Sequence, residues 1–297
     1  MRKAAYTLAL VPLLAIVLAA VFLSWPGTGT GFSSGTGFGA PEARVYFFDV
    51  GQGDAALIDV GHGTQILIDG GPDRAVLRGL GEIMPRFDRR IELVILSHPH
   101  LDHYGGLIDT VSRYDVGAVM LNQSGSGKPY ERLVEDVRAG SRIIPAAGQR
   151  IPLPGGVIEI LEPGVPGTDS ANRKRFSNPN DASVVARLEL HGHTFLFPGD
   201  AEEAEERRLL RSGGLDVEVL KVPHHGSSTS STEEFLQAVT PDWCIVSSGK
   251  DNPYGHPNPG TLSRLETAGC RTVRTDRHGT ITFRLTGSQM RVVPQRR

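Results

Sequence analysis

The chain has 297 residues, with 31 Lys plus Arg, 33 Asp plus Glu and 10 His, for a formal net charge of -2. Hydrophobic residues make up 39% and charged residues 22%, which supports a folded core and excludes an extended polar chain. A near-neutral balance also excludes recognition of nucleic acid by a global basic field, so any phosphate partner must be met by local groups.

Met1-Arg2-Lys3 precedes an uncharged run from Ala4 to Ser24, about the length a membrane-spanning helix needs. No small-x-small cleavage site follows it. Residues 1–24 therefore read as a hydrophobic helix that anchors the chain in the cell membrane. The positive N-terminal flank predicts a single pass with the remainder outside. Secretion after signal cleavage is the alternative. Residues 25–41 are dominated by Gly, Ser and Thr and read as a flexible tether. A folded domain is expected over residues 42–297.

Within that domain, Val45 to Val50, Ala55 to Asp59 and Gln65 to Asp69 are short apolar runs separated by glycine turns, the pattern of a strand meander. Ile91 to Ser97 is continuously apolar and predicts a strand buried on both faces. Tyr130 to Ala139 and Glu202 to Leu210 have helical character. Strands are predicted at Val157–Leu161, Ser183–Leu190, His193–Phe197, Val217–Val222 and Trp243–Ser247. A helix over Pro259–Ala268 leads to strands at Arg271–Thr275 and Thr280–Leu285. Strand clusters alternating with helices predict a layered α/β domain rather than an all-β barrel. Of the cysteines only Cys244 and Cys270 are present, too few for a structural zinc site. Two unpaired buried thiols are the expected state, with one bridge as the alternative outside the cytoplasm.

The chemistry is concentrated in Ser97-His98-Pro99-His100-Leu101-Asp102-His103-Tyr104-Gly105-Gly106. Residues two apart on an extended segment share a side, so His98 and His100 can reach one metal. After a turn, Asp102 and His103 can face a second. Imidazole and carboxylate suit zinc, manganese or iron, so spacing alone does not choose the ion. Two later segments end apolar runs with further ligand types: Phe197-Pro-Gly-Asp200, and Leu220-Lys-Val-Pro-His-His-Gly-Ser227. A strand-end Asp is ordinarily a turn residue, but an open metal site collects its ligands from several strand ends.

This set resembles the metallo-β-lactamase superfamily, and in finer detail its subgroup found as the C-terminal domain of ComEC competence proteins. The matching stretches are Phe48-Asp-Val-Gly-Gln-Gly-Asp54, Ile68-Asp-Gly-Gly71, the HxHxDH cluster, Asn180-Asp-Ala-Ser183, Phe197-Pro-Gly-Asp200, the His224-His225 segment and Tyr254-Gly-His-Pro257. The many-helix channel of full-length ComEC proteins is absent, so DNA transport is not implied. The resemblance implies an αβ/βα four-layer sandwich with the site along one edge of two sheets. By position it implies His98 and His100 on metal one, Asp102 and His103 on metal two, Asp200 bridging, and His225 of the histidine pair completing metal two. Two divalent ions, Zn²⁺ or Mn²⁺, are the implied cofactors. His191 and His193 flank Gly192 in a hairpin too close to Asp200 to serve easily, so metal one is the weaker site and single-metal occupancy stays open.

The expected reaction is hydrolysis by a metal-bound hydroxide, with Asp102 orienting the nucleophile and His256 donating a proton or hydrogen bond. Asp54, Asn180, Ser183, His224, Ser227 and Tyr254 are candidate substrate contacts. DNA or another phosphodiester is the implied substrate, with Arg173-Lys-Arg175 and Arg271, Arg274 and Arg277 as local positive charge. A carboxylic-ester, lactone or β-lactam hydrolase and a non-catalytic metal-bearing binding module are the alternatives, since fold does not fix substrate. No protein partner is legible.

Overall fold

The computed structural model describes residues 42–296 apart from 62, 122–124, 138 and 164–178. The predicted anchor and tether, and Arg173-Lys-Arg175, lie outside the described residues. Among the described residues no helix is long and apolar enough to cross a membrane.

The first sheet contains β1 (Ala43–Phe47), β2 (Ala56–Asp59), β3 (Gln65–Ile68), β4 (Arg90–Ile95), β5 (Asp115–Met120), β6 (Arg142–Ile143), β14 (Ile281–Thr286) and β15 (Gln289–Pro294). Its order is β15-β14-β1-β2-β3-β4-β5-β6, antiparallel through β3 and parallel from β3 to β6. The second sheet contains β7 (Arg150–Leu153), β8 (Gly156–Glu162), β9 (Val185–Leu190), β10 (His193–Phe197), β11 (Val219–Lys221), β12 (Trp243–Val246) and β13 (Arg271–Arg274). It runs β13-β12-β11-β10-β9-β8-β7, with β10 to β13 parallel.

Alternation along the strands sorts the side chains into layers. Phe47 and Phe283 of the first sheet meet Phe197 and Phe195 of the second, with ring centroids 5.7 and 5.5 Å apart, and close the space between the sheets. Tyr46, Leu57, Leu67 and Val94 face the other way, onto α1 (Ala75–Ile83), α2 (Leu101–Arg113) and α3 (Lys128–Asp136). On the second sheet Leu196, Leu220 and Val246 likewise face α4 (Glu203–Ser212), α5 (Glu233–Val239) and α6 (Pro259–Thr267). The expected αβ/βα layering is therefore present.

The sequence reading missed α1, α5, β5, β6, β7 and β15, and took the start of α2 for an extended loop and turn. The glycines explain the two helices nearest the site. A Cβ on Gly79 in α1 would lie 2.6 Å from the Phe48 ring, and one on Gly105 in α2 would lie 2.0 Å from the Pro72 carbonyl oxygen. These glycines let helices approach the sheet closely; they do not break them.

The cysteine expectation is corrected: Cys244 in β12 and Cys270, just before β13, form a disulfide with Cα atoms 5.9 Å apart. Adjacent parallel strands bring the two positions within bridging distance, which their 26-residue separation in sequence conceals.

Candidate metal centre

Each candidate ligand sits where a parallel strand or helix delivers it to one edge of the two sheets. Asp69 follows β3, Ser97 and His98 follow β4, Asp200 follows β10, His224 and His225 follow β11, and Ser247 follows β12. Gly199 turns with φ of +59°, and a Cβ there would lie 2.9 Å from the Ser97 Cβ. Only glycine lets Asp200 come in so close to the β4 end. Asp102 and His103 occupy the first turn of α2, whose carbonyls are gripped from outside the helix. Asp54 N–H donates to Asp102 O at 3.1 Å and Gly70 N–H to His103 O at 2.6 Å. His224 and His225 are both left-handed, with φ of 49° and 54°, a conformation that costs non-glycine residues free energy and clusters at functional turns.

Asp200 is the hub. Its Oδ1 lies 3.3 Å from His103 Nε2, and its Oδ2 lies 3.7 Å from both His98 Nε2 and His225 Nε2. His225 Nε2 is in turn 3.3 Å from Asp102 Oδ2, and His98 Nε2 is 3.0 Å from His100 Nδ1. Four overlapping donor groups result among the described residues; two of them run through Asp54, and the other two are Asp102 with His103 and His225, and His98 with His103 and Asp200. The Asp102 group is the set expected for metal two. The His98 group departs from expectation, because His103 rather than His100 completes it and His100 joins only through His98. The buried atoms His103 Nε2 and Asp200 Oδ1 face each other at 3.3 Å, close enough to pair as charges but with no aligned hydrogen bond between them. Buried polar atoms left without a hydrogen bond carry a desolvation cost that a ligand can relieve. A cation between these donors fits both.

A second layer, unassigned by the sequence reading, fixes the ring orientations. Asp69 is buried and accepts hydrogen bonds from Ser97 N–H and Ser97 Oγ–H, both at 2.7 Å, and lies 2.9 Å from His103 Nδ1. A proton on that Nδ1 leaves Nε2 as the ligand atom. His225 Nδ1 likewise donates to Ser247 O at 3.0 Å, turning its Nε2 into the site. Both supports lie in stretches the sequence had marked, Ile68-Asp-Gly-Gly71 and the β12 end, but nothing in their composition separates a ligand support from a turn.

The electrostatics follow from packing carboxylates and imidazoles out of water. Burial and the neighbouring His103 push His98 well below the usual histidine range. Burial would do the same to His103, but Asp200 and Asp69 outweigh it and hold His103 well above that range. For His225, Asp200 and Asp54 overcome burial and raise it to about 9. Burial would raise Asp200, yet His103 and His225 keep it well below the carboxylate range. Asp102 is depressed in the same way against burial, by its contact with His225 and the charge of His103.

Several expected substrate contacts are corrected. Asp54 does approach the site, but from behind: it is buried, ion-paired to the buried Lys221, with Oδ1 3.3 Å from His225 Nδ1. Burial opposes its ionisation, and Lys221 and His225 prevail, holding it at about 2. Lys221, which the sequence reading passed over, also donates to Gly199 O at 3.3 Å. Ser183 is fully buried, donates to Asn180 O at 2.8 Å and accepts from Asp200 N–H; it shapes the Asp200 turn. Asn180 is buried and donates to Glu202, whose carboxylate meets His224 Nδ1 at 3.2 Å. Ser227 is buried against Thr229. These side chains are taken up by the fold itself. His224 stays half-buried, with Nε2 3.8 Å from Asp200 Oδ2. His256 and exposed Tyr254 stand beside it, the His224 and His256 rings being 5.7 Å apart. His193 pairs with Glu218 instead, away from the cluster. Arg274 is tied to Asp276 and Arg271 lies over the Trp243 ring, so neither is a ready phosphate contact.

The comparisons agree with this geometry. Residues 48–247 match the family described as the metallo-beta-lactamase superfamily. The chain is 32% identical over 250 residues to the competence protein ComA of Neisseria gonorrhoeae, covering 82% of this chain and 32% of that protein. It is 29% identical over 200 residues to the ComE operon protein 3 of Bacillus subtilis (strain 168), covering 66% of this chain and 25% of that one. The chain thus spans a third or less of the length of these relatives. Among solved structures, the metallo-beta-lactamase fold protein YhfI from Bacillus subtilis superposes with a TM-score of 0.52 at 14% identity, over 82% of this chain and 100% of its own, a likeness of fold alone. With its two layered sheets and its His/Asp cluster at their shared edge, the chain belongs to the metallo-β-lactamase superfamily, in the part of it that resembles the ComEC-like competence proteins.

Proposed function

We propose that this chain is an exported metal-dependent phosphodiesterase that cleaves DNA. The observation that carries the reading is the hub at Asp200, where carboxylate oxygens and ring nitrogens converge from both sheets with buried atoms left without a hydrogen bond. In this reading His98 and Asp200, with His103 adjoining, would hold one cation, and Asp102, His103 and His225 would hold the other. Divalent cations in such a site make water a stronger acid and stabilise charge on a phosphoryl oxygen. The remaining work belongs to the chain. Asp69 and Ser97 lock the His103 ring, and Ser247 O locks His225. Asp102, whose side chain is 34% exposed, is the carboxylate open to the mouth and accepts a hydrogen bond from the attacking water. Burial, with His225 and His224 nearby, lowers His256, so near neutrality it is an uncharged imidazole. Its part is then a hydrogen bond to a phosphate oxygen rather than the delivery of a stored proton.

DNA is favoured as substrate by the likeness to proteins named for competence. Export is favoured by the uncharged Ala4–Ser24 run and by the Cys244–Cys270 bridge, since disulfides persist in oxidising compartments. The test is cleavage of single-stranded DNA by the purified protein with Zn²⁺ or Mn²⁺ added separately, against Asp102→Ala and His103→Ala controls. Metal-dependent cleavage lost in both controls is expected. No cleavage by folded, metal-loaded protein would refute the assignment, and turnover of carboxylic esters by that same preparation would put an ester hydrolase in its place.

A further inference from the structure

Among the described residues five large hydrophobic side chains stand exposed, Phe87, Leu101, Ile144, Tyr254 and Val293. Two of them border the metal centre. Leu101 sits in the chain between His100 and Asp102, and Tyr254 two residues before His256. Tyr254 is 68% exposed, and its ring stacks on that of His256 at 6.0 Å between centroids with planes only 19° apart. His256 in turn stands against His224, whose Nε2 is 3.8 Å from Asp200 Oδ2. A continuous ladder of rings therefore leads from the ligand hub to one open aromatic face.

That face is held in place. Asn252 ties the loop from within: its Nδ2 donates to Gly249 O at 2.9 Å and His256 O at 2.6 Å, and its Oδ1 accepts from Tyr254 N–H and His256 N–H at 3.2 and 3.1 Å. Asn258 N–H donates to Gly226 O at 2.8 Å and joins the loop to the histidine turn. A Cβ on Gly226 would lie 2.7 Å from Pro257 Cβ, so the two segments are in close contact. The loop spends four side-chain hydrogen bonds on presenting an aromatic ring to solvent, which a fold gains nothing from by itself.

We infer that Tyr254 is a nucleobase platform: a base of single-stranded nucleic acid stacks on its open face and lays the adjoining backbone across the Asp200 cluster. The inference rests on the phosphodiesterase reading and adds the recognised group. Stacking on a fixed aromatic tolerates any base, because each base has a π-face, and so suits a substrate of arbitrary sequence. It needs no basic field, in keeping with the net charge of -2.

The experiment compares an oligo-dT strand with an abasic strand of equal length, cleaved by the full-length protein and by its Tyr254→Ala and Tyr254→Phe variants. Tyr254→Ala is expected to raise KM for oligo-dT by about 5- to 150-fold, the span of one base–aromatic contact, with kcat unchanged. Tyr254→Phe keeps the wild-type KM because the ring, not the hydroxyl, makes the contact. The abasic strand starts from a high KM that Tyr254→Ala does not move. An unchanged KM for oligo-dT, or an equal loss on both strands, would overturn the platform while leaving the phosphodiesterase reading intact. Cleavage of neither strand by the wild type would overturn both.

Discussion

Loading metal into this site should expel about two protons even at pH 8. His225 is raised to about 9 by the carboxylates of Asp200 and Asp54, against the opposing effect of burial. At pH 8 such a group is about 90% protonated, whereas an ordinary histidine near 6.5 is about 3% protonated. His103 is also held well above the usual range and contributes a second proton. His98 and His100 are lowered, chiefly by burial, and contribute none. The ligating Nε2 atoms of His103 and His225 cannot hold a proton and a cation together, so binding must release both. The sign follows: apparent affinity rises with pH as His103 and His225 give up their protons, and the His225 share of the rise fades above about 9. Four unperturbed histidines would together release only about 0.1 proton at pH 8. The assay is calorimetric titration of Mn²⁺ into chelator-treated protein, in buffers of different ionisation enthalpy, where the slope counts protons. Mn²⁺ is chosen because water on it is a weaker acid than water on Zn²⁺ and adds less to the count. A release below about one proton at pH 8 would refute the reasoning, because the carboxylates would then not be raising His103 and His225 at all.

Asp69→Asn removes the carboxylate behind His103 and should weaken metal affinity by about 10- to 100-fold, read in the same calorimeter; an unchanged affinity would remove Asp69 from the ligand support. Lys221→Met strands the buried Asp54 carboxylate and should cost about 3–5 kcal/mol in urea unfolding, while adding Asp54→Leu to it should recover much of the loss. The Cys244–Cys270 bridge closes a 26-residue separation, and a Cys244→Ala/Cys270→Ala variant should lose about 3.5 kcal/mol on the chain-entropy account. Thiol titration of the unfolded wild type without reductant should find no free thiol, and a count of two would contradict the bridge.

The sequence made the ligand types legible because metal chemistry accepts few side chains. His98, His100, Asp102 and His103 fall within six positions, and Asp200 and His225 each follow an apolar run. The supports were less legible because they are generic residues that acquire their role only through distant contacts. Asp69 reaches His103 across 34 positions, and Ser247 reaches His225 across 22. Asn180, Ser183 and Ser227 failed in the opposite direction. Asn180 and Ser183 stood out through the family motif and Ser227 through its place beside a glycine, but each is buried and hydrogen-bonds within the fold. Helices α1 and α2 were hidden by glycines that look like helix breakers in isolation. In the fold they are the residues thin enough to let α1 meet Phe48 and α2 meet Pro72.

The distribution of the site over both sheets has a physical consequence for how it is kept intact. Asp69, His98 and His103 come from the first sheet, and Asp200, Lys221 and His225 from the second. Asp54 spans the division, since it precedes β2 of the first sheet and pairs with Lys221 at the end of β11 in the second. Its partner charge therefore exists only when the two sheets are packed through Phe47, Phe195, Phe197 and Phe283. Parting the sheets would separate Asp200 from His103 and Asp54 from Lys221, so both ion pairs are lost together with the inter-sheet packing. A cation held by donors from both sides binds the packed state and not the parted one, and so stabilises the fold in proportion to its own affinity. The bridge between β12 and the start of β13 acts on the same assembly from the helix side of the second sheet, because β12 leads directly into Ser247, whose carbonyl fixes His225. Ligand geometry, inter-sheet packing and the disulfide are in this way parts of one coupled equilibrium, and loosening any of them should show first as weaker metal binding.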